Sequence, residues 1–288
     1  MKFLKEDLIK SPLNYIGGKF KLLPQILPLF PDNIGTFYDI FGGGCNVCIN
    51  VKSEYKYFND VNLYLKEMFK GIQDNSTQEI LSKIDNLINV YNLTKTNKLG
   101  FEQLRTDYNN GLKSWEYLFT LICHSFNYQV RFNNKHQYNS SFRINRIGFT
   151  NNMKQNLIKF ADIIHNKNIV FCSEDFRKID YSNADNNDLV YFDPPYLLCC
   201  GVYQDGKRGF GGWNETDEKD LYDLCDRLNG QGVRFAMSNV IESKGQSNDL
   251  LKKWSSRYNT HILNADYTNS NYQRESSEKD IEVLITNY

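Results

Sequence analysis

Short apolar runs that close on glycine, asparagine or an acid occupy both ends of this chain, and helical stripes fill the middle. Phe37-Tyr38-Asp39-Ile40-Phe41 reads as a strand breaking into Gly42-Gly43-Gly44, with a helix from Asn46. Lys56-Tyr57-Phe58-Asn59-Asp60 reads as a second strand ending in an acid. From about Val61 to His124 the period becomes helical. Leu81, Ile84, Leu87 and Ile88 form one stripe, and Trp115, Leu118, Phe119 and Ile122 another. Two alternating runs, 128–132 and 137–143, flank Asn133-Asn134-Lys135-His136 and predict a β-hairpin. Helix resumes near Met153. Strands follow at Ile169–Cys172 and Leu189–Phe192, then a helix over Asp217–Leu228 and a strand over Val233–Ser238. Runs at Thr260–Leu263 and Ile281–Thr286 close the pattern. The pattern predicts an α/β domain interrupted by a mostly helical insert that carries a hairpin.

Composition changes this picture in one place. The 288 residues hold 34 basic and 34 acidic side chains, so the overall charge balances. Yet no Asp or Glu occurs between Tyr117 and Ala161, while Arg131, Lys135, Arg143, Arg146, Lys154 and Lys159 all fall there. A basic segment in a neutral protein is the footprint of a local polyanion site. Seven cysteines, an odd number, do not suggest a disulfide framework. Cys45 and Cys48 have CxxC spacing without a second pair, and Cys199-Cys200 are adjacent, so all are expected to be reduced packing residues and no metal is expected. The opening MKFLKEDLIK lacks a signal-peptide core, and no run approaches the ~20 apolar residues of a membrane span. A soluble cytoplasmic protein with no membrane partner is expected.

The candidate chemistry sits at strand ends. A glycine-rich turn after one strand and an acid at the tip of the next suit a nucleoside: backbone approaches the ligand closely, and the acid accepts from ribose hydroxyls. Asp193-Pro194-Pro195-Tyr196 closes the run Leu189–Phe192. Its prolines lack N–H donors, which leaves neighbouring carbonyls open to a substrate. The Asp carboxylate accepts further bonds, and the Tyr ring offers a stacking face. Two acceptors and a plate suit the exocyclic amino group of a flat base. The stretch Gly201–Gly212 before Trp213 is long for a connection and reads as a candidate lid.

With these motifs in order, the chain resembles the Dam-type (D12 class) DNA adenine-N6 methyltransferases. The resemblance rests on Asn14-Tyr15-Ile16-Gly17-Gly18-Lys19, Asp39 to Gly44, Asn59-Asp60, the insert with its Arg-bearing hairpin, and Glu174-Asp175-Phe176. It continues through Asp193 to Tyr196, Met237-Ser238-Asn239 and Glu282-Val283-Leu284-Ile285. It implies a Rossmann-like S-adenosylmethionine-dependent methyltransferase domain over 1–60 and 166–288, with a helical target-recognition domain over 61–165. It further implies a monomer that methylates N6 of a flipped adenine in a short duplex DNA site, with a separate cognate restriction endonuclease as a candidate partner. Carried over, Tyr15, Lys19, Phe41, Gly42, Gly44, Asp60, Asp175, Phe176 and Asp193 would seat the cofactor. Asp193, Pro194 and Tyr196 would hold the target adenine. Gln129, Arg131, Asn133, Lys135, Ser141, Arg143 and Arg146 would meet DNA.

Specificity is where the chain departs from the resemblance. Enzymes of this type that read GATC carry an apolar residue at the position of Gln129, a proline at that of Ser141 and commonly a basic residue at that of Asn145. GATC and an adenine-richer site both stay open, since Gln and Asn prefer adenine edges. A cytosine-N4 or RNA amino-methyltransferase, and a DNA-binding relative without turnover, are the rival readings.

Overall fold

The computed structural model describes residues 8–146, 148–198, 212–264 and 280–288. Its centre is an eight-stranded sheet: β1 (Thr36–Asp39), β2 (Tyr55–Asn59), β3 (Asn168–Cys172), β4 (Leu189–Phe192), β5 (Arg234–Ser243), β6 (Gln246–Ser247), β7 (Asn259–Leu263) and β8 (Ile281–Thr286). The order is β3-β2-β1-β4-β5-β8-β7, with β6 paired to β5 off this path. Strands β1 to β5 run parallel, and β8 lies antiparallel to both β5 and β7. The chain steps outward from β1 to β3, then returns to the other side of β1 as β4. That reversal leaves a crevice above the carboxyl ends of β1 and β4, where open α/β sheets bind ligands.

Both faces of the sheet are covered, and the two-residue period decides which side chain goes where. Leu189, Tyr191, Ala236 and Leu284 enter one buried cluster. Val190, Phe192, Phe235, Met237, Val283 and Ile285 enter the other. The second is closed by α8 (Glu215–Gly230) and α9 (Asp249–Ser255), through Leu221, Leu224, Leu228 and Trp254. Each such side chain contributes ~1.5–3 kcal/mol on burial. An Asn214–Asp217 capping box starts α8, two residues ahead of the predicted Asp217.

The first cluster runs without a break into the insert. Between β2 and β3 lie α3 (Leu63–Gln73), α4 (Thr77–Val90), α5 (Lys98–Asn109), α6 (Trp115–His124) and α7 (Asn151–Asn166). Helix α3 packs on β3, α6 and α7, while α4 and α5 pack on α6. Phe69 joins the layers, with ring centroids 5.3 Å from Phe58, 5.7 Å from Phe171 and 5.4 Å from Phe160. The stripes read from sequence are these buried faces: Ile84 and Leu87 on α4, Leu118, Phe119 and Ile122 on α6.

One local expectation changes, and one apolar run is interrupted. The amphipathic run Phe20–Phe30 forms only short turns and α1 (Leu23–Ile26), because Pro24 and Pro28 interrupt it. The hairpin forms as a reversal of the chain, but with two isolated antiparallel bridges, Ser125↔Phe142 and Phe132↔Tyr138, in place of paired strands. Backbone bonds cross the reversal at these bridges, Asn133 N to Gln137 O and Asn139 N to Arg131 O at one, Phe126 N to Ser141 O and Arg143 N to His124 O at the other, and side chains add to them. Asn133 Oδ1 accepts from the amides of Lys135 and Gln137. Asn109 brackets Tyr138, accepting from its amide and donating to its carbonyl. Among the described residues no helix is long and apolar enough to cross a membrane. The candidate lid, up to residue 211, and Cys199-Cys200 lie outside the described residues; the five described cysteines are free thiols.

Candidate active site

A cavity of about 200 Å³ opens at the β1/β4 reversal. The glycine turn forms one wall. Gly42 donates its amide to Asn59 O at 2.8 Å, and a side chain at residue 42 would collide with the Phe58 ring. Gly43 has φ +48°, a conformation that favours glycine, and a Cβ there would come within 2.9 Å of the Tyr15 ring. Asp60 ends β2 beside this turn. Its Oδ2 accepts from the Gly43 amide at 2.9 Å and its Oδ1 from the Asn62 amide at 2.8 Å. Burial pushes its carboxyl up to about 6, against the opposing pull of those two amides. A close-approach backbone turn under an aromatic ring, with a buried carboxylate beside it, is a donor–acceptor set that fits a nucleoside with a ribose diol.

Asn59 holds this wall in place. Its side chain donates to Ile40 O and Glu174 O, both at 3.0 Å, and accepts from the Glu174 amide at 2.8 Å. One buried amide thus ties together the ends of β1, β2 and β3. At the tip of β1, buried Asp39 accepts from the Cys48 amide at 3.1 Å and so anchors α2 (Asn46–Asn50).

The opposite wall is the β4 tip. Lys19 Nζ lies 2.7 Å from Asp193 Oδ1 and donates to Gly17 O at 3.0 Å. The same ammonium is 3.5 Å from Glu282 Oε1 and 4.9 Å from the centre of the Tyr196 ring. Tyr196 Oη is within hydrogen-bond distance of Asp193 Oδ1 (3.0 Å) and of Glu282 Oε1 (2.9 Å). Burial raises the Asp193 carboxyl above its ordinary range, with Lys19 working against that shift. Asp193, Pro194, Tyr196, Tyr15, Lys19, Phe41, Gly42, Gly44 and Asp60 all line the one cavity.

The hairpin reaches the same space. Val130 and Phe132 line the cavity, and Asn14 donates to Asn127 O at 3.2 Å. Gln129 is fixed through its carbonyl, which accepts from Tyr138 Oη and Ser140 Oγ. Arg131 and Asn133 are half-buried, and Lys135, Ser141 and Arg146 are exposed. Arg143 turns back, its guanidinium 4.3 Å from the Tyr128 ring centre.

Asp175 and Phe176 are not among the residues that line the cavity. Asp175 accepts from the Arg177 amide and pairs with its guanidinium, and Phe176 packs behind Phe41 with centroids 5.5 Å apart. Reading the sequence assigned no site role to the single residues Glu282, Asn59 and Asn109. Glu282 carried a signal: it is an acid inside the apolar run Ile281–Ile285. Asn59 stands in the Asn59-Asp60 motif without an assigned role, and Asn109 carried no signal, since its partners are distant backbone groups.

The fold and site together define a class. Residues 15–270 match the family model of the D12 class N6 adenine-specific DNA methyltransferases, and the chain belongs to that family. It is similar to the type II methyltransferase M.FokI of Planomicrobium okeanokoites, 48% identical over 287 residues, which cover 100% of this chain and 44% of that protein. It is also similar to the modification methylase StsI of Streptococcus sanguinis, 47% identical over 282 residues, 97% of this chain and 43% of that one. The chain therefore spans less than half the length of these relatives. Type II methyltransferase M1.LlaDCHI of Lactococcus lactis subsp. cremoris matches end to end, 27% identical over 95% of this chain and 94% of its own.

Proposed function

We propose that this chain transfers a methyl group from S-adenosylmethionine to N6 of an adenine in a short duplex DNA site. The observation that carries the proposal is that a nucleoside-shaped wall, Gly42 to Gly44 with Asp60, and an amino-group acceptor, Asp193, face one another across a single cavity. Tyr15, Phe41, the glycine turn and Asp60 are the residues that would hold the cofactor, with Phe176 supporting Phe41 from behind. When bound, S-adenosylmethionine supplies an electrophilic methyl group.

The chain's own residues do the rest. An adenine amino group is a poor nucleophile because its lone pair is delocalised into the ring. Acceptance of its hydrogens by Asp193 and the Pro194 carbonyl favours a tetrahedral nitrogen whose lone pair points away from the ring. That is electrostatics directed at the transition state. The base must first leave the helix, at a cost of a few kcal/mol, which stacking on Tyr196 partly offsets. Segment 61–165 acts as the target-recognition part. Arg131 on the hairpin suits a guanine edge, and Lys135 at its tip suits phosphate. Gln129 and Ser141 support a site related to GATC but not confined to it. The names of the relatives support a modification role beside a separately acting restriction endonuclease.

Incubation of the full chain with plasmid DNA and methyl-labelled S-adenosylmethionine, followed by nucleoside mass spectrometry, tests this. Label in N6-methyladenine is the expected result. Label in N4-methylcytosine, in an RNA substrate alone, or in neither nucleic acid would overturn it.

A further inference from the structure

The cluster around Tyr196 contains a proton-counting problem. A phenol carries one hydrogen, yet Tyr196 Oη lies 3.0 Å from Asp193 Oδ1 and 2.9 Å from Glu282 Oε1. It can donate to only one carboxylate at a time. Lys19 supplies the shared counter-charge, 2.7 Å from the first carboxylate and 3.5 Å from the second, while also donating to Gly17 O. Glu282 is 1% exposed. An acid at that depth is costly unless it is paired, so its position between β5 and β7 on the sheet calls for a role.

We propose that Glu282 is a positioning residue of the methyl-transfer site: it holds the Tyr196 hydroxyl and the Lys19 ammonium, and through them fixes the geometry and the charge of Asp193. The inference rests on the proposed function above for its consequence in catalysis, and on geometry alone for the coupling. Glu282 acts at a distance. It is linked to Asp193 through the hydroxyl and the ammonium, both of which have a second bond to Asp193 Oδ1, and it also repels that carboxylate directly. The groups that face Asp193 among the described residues are Lys19, Tyr196 and Glu282, with Tyr191 and Asp39 behind them. Glu282 and Tyr196 act on it with opposite sign. The second carboxylate raises the Asp193 pKa by repulsion, and the hydroxyl bond lowers it.

Those opposite signs make the test. The Asp193 side-chain carboxyl is followed by carbon-13 NMR titration in the full chain without substrate, in wild type, Glu282→Gln and Tyr196→Phe. Glu282→Gln is expected to lower the Asp193 titration point and Tyr196→Phe to raise it. With duplex DNA and cofactor, the acid limb of the kcat profile is expected to follow the same directions. Glu282→Gln is expected to reduce kcat by roughly 10- to 100-fold with KM for DNA little changed, kcat being normalised to the folded enzyme counted by cofactor-binding titration so that a smaller folded fraction does not imitate the loss. Should Glu282→Gln fail to fold, Glu282→Asp, which keeps the charge but draws the carboxylate back from Tyr196 and Lys19, is read by the same titration and kcat, and wild-type values for both overturn the proposal. An Asp193 titration that moves in neither variant, or a Glu282→Gln enzyme with wild-type kcat and acid limb, overturns the proposal. A shifted titration in a protein that methylates no duplex leaves the coupling standing and removes only the proposed function.

Discussion

Tyr64, at the start of α3, lies flat on Phe132 of the hairpin, with ring centroids 4.1 Å apart and planes inclined by 14°. The Tyr64 hydroxyl also donates to His136 O at 3.2 Å. Just before it, Asn62 caps α3 and Asp60 borders the cavity. One aromatic contact therefore joins the nucleoside wall to the segment proposed to read DNA.

Tyr64→Leu is expected to weaken DNA binding while leaving cofactor affinity within a few-fold of wild type. The pair contributes ~0.5–1.5 kcal/mol beyond its buried area, and its loss frees the hairpin more than the glycine turn. Calorimetric titration with each ligand separately checks this. Equal losses for both ligands would place the damage in the shared core instead.

Asp193→Ala is expected to lower single-turnover methylation by roughly 10²–10³-fold or more, the range seen when one preorganised transition-state contact is removed. DNA binding should survive, because the carboxylate sits in the cavity rather than on the basic hairpin. Rapid-quench methylation and a gel-shift assay on the same preparation separate the two effects.

Lys135→Ala is expected to weaken every duplex alike, and Arg131→Ala to lose discrimination at one base pair by ~1–3 kcal/mol. Lys135 is exposed at the tip of the reversal, whereas Arg131 is half-buried with its carbonyl accepting from the Asn139 amide. Competition binding across singly substituted sites provides the readout; a uniform loss with Arg131→Ala contradicts the assignment.

Gln129 and Ser141 lead to a prediction about the target. Methylome sequencing of DNA modified at limiting enzyme is expected to show adenine methylation outside GATC. A single changed contact shifts preference by only ~1–3 kcal/mol, so several related sites should be used together. Modification restricted to GATC at high enzyme would show that the hairpin reads as its apolar relatives do.

Asp60 gives a pH dependence. Its folded pKa of about 6 exceeds the ordinary 3.8, so the native state binds more protons than the unfolded state between those values. The stability this group contributes is complete below about pH 4 and is lost as pH rises through 6, a change of order 2–3 kcal/mol. Asp60→Asn should remove that component, so urea unfolding of wild type and variant at pH 4 and pH 7 should differ by this amount. Cofactor affinity should run the other way and weaken as pH falls below 6, because the ionised carboxylate is the better acceptor.

The alternating and helical periods by themselves determined the order of β1 to β5, β7 and β8, the run of helices between β2 and β3, helix α8, and the strand-end positions of Asp60 and Asp193, but not β6 or α9. Those are local properties, since periodicity and turn residues act between near neighbours. Tertiary structure alone decided that Glu282 from the closing strand meets Tyr196 and Lys19, that Asn59 brackets three strand ends, and that Asn109 holds the hairpin through the amide and carbonyl of Tyr138. It also decided that Asp175 pairs with Arg177 and that Phe176 supports Phe41 from behind the cavity wall. Each of these depends on which strands are neighbours in the sheet and how side chains distant in sequence compete for the same buried polar groups, and no short-range pattern encodes that competition.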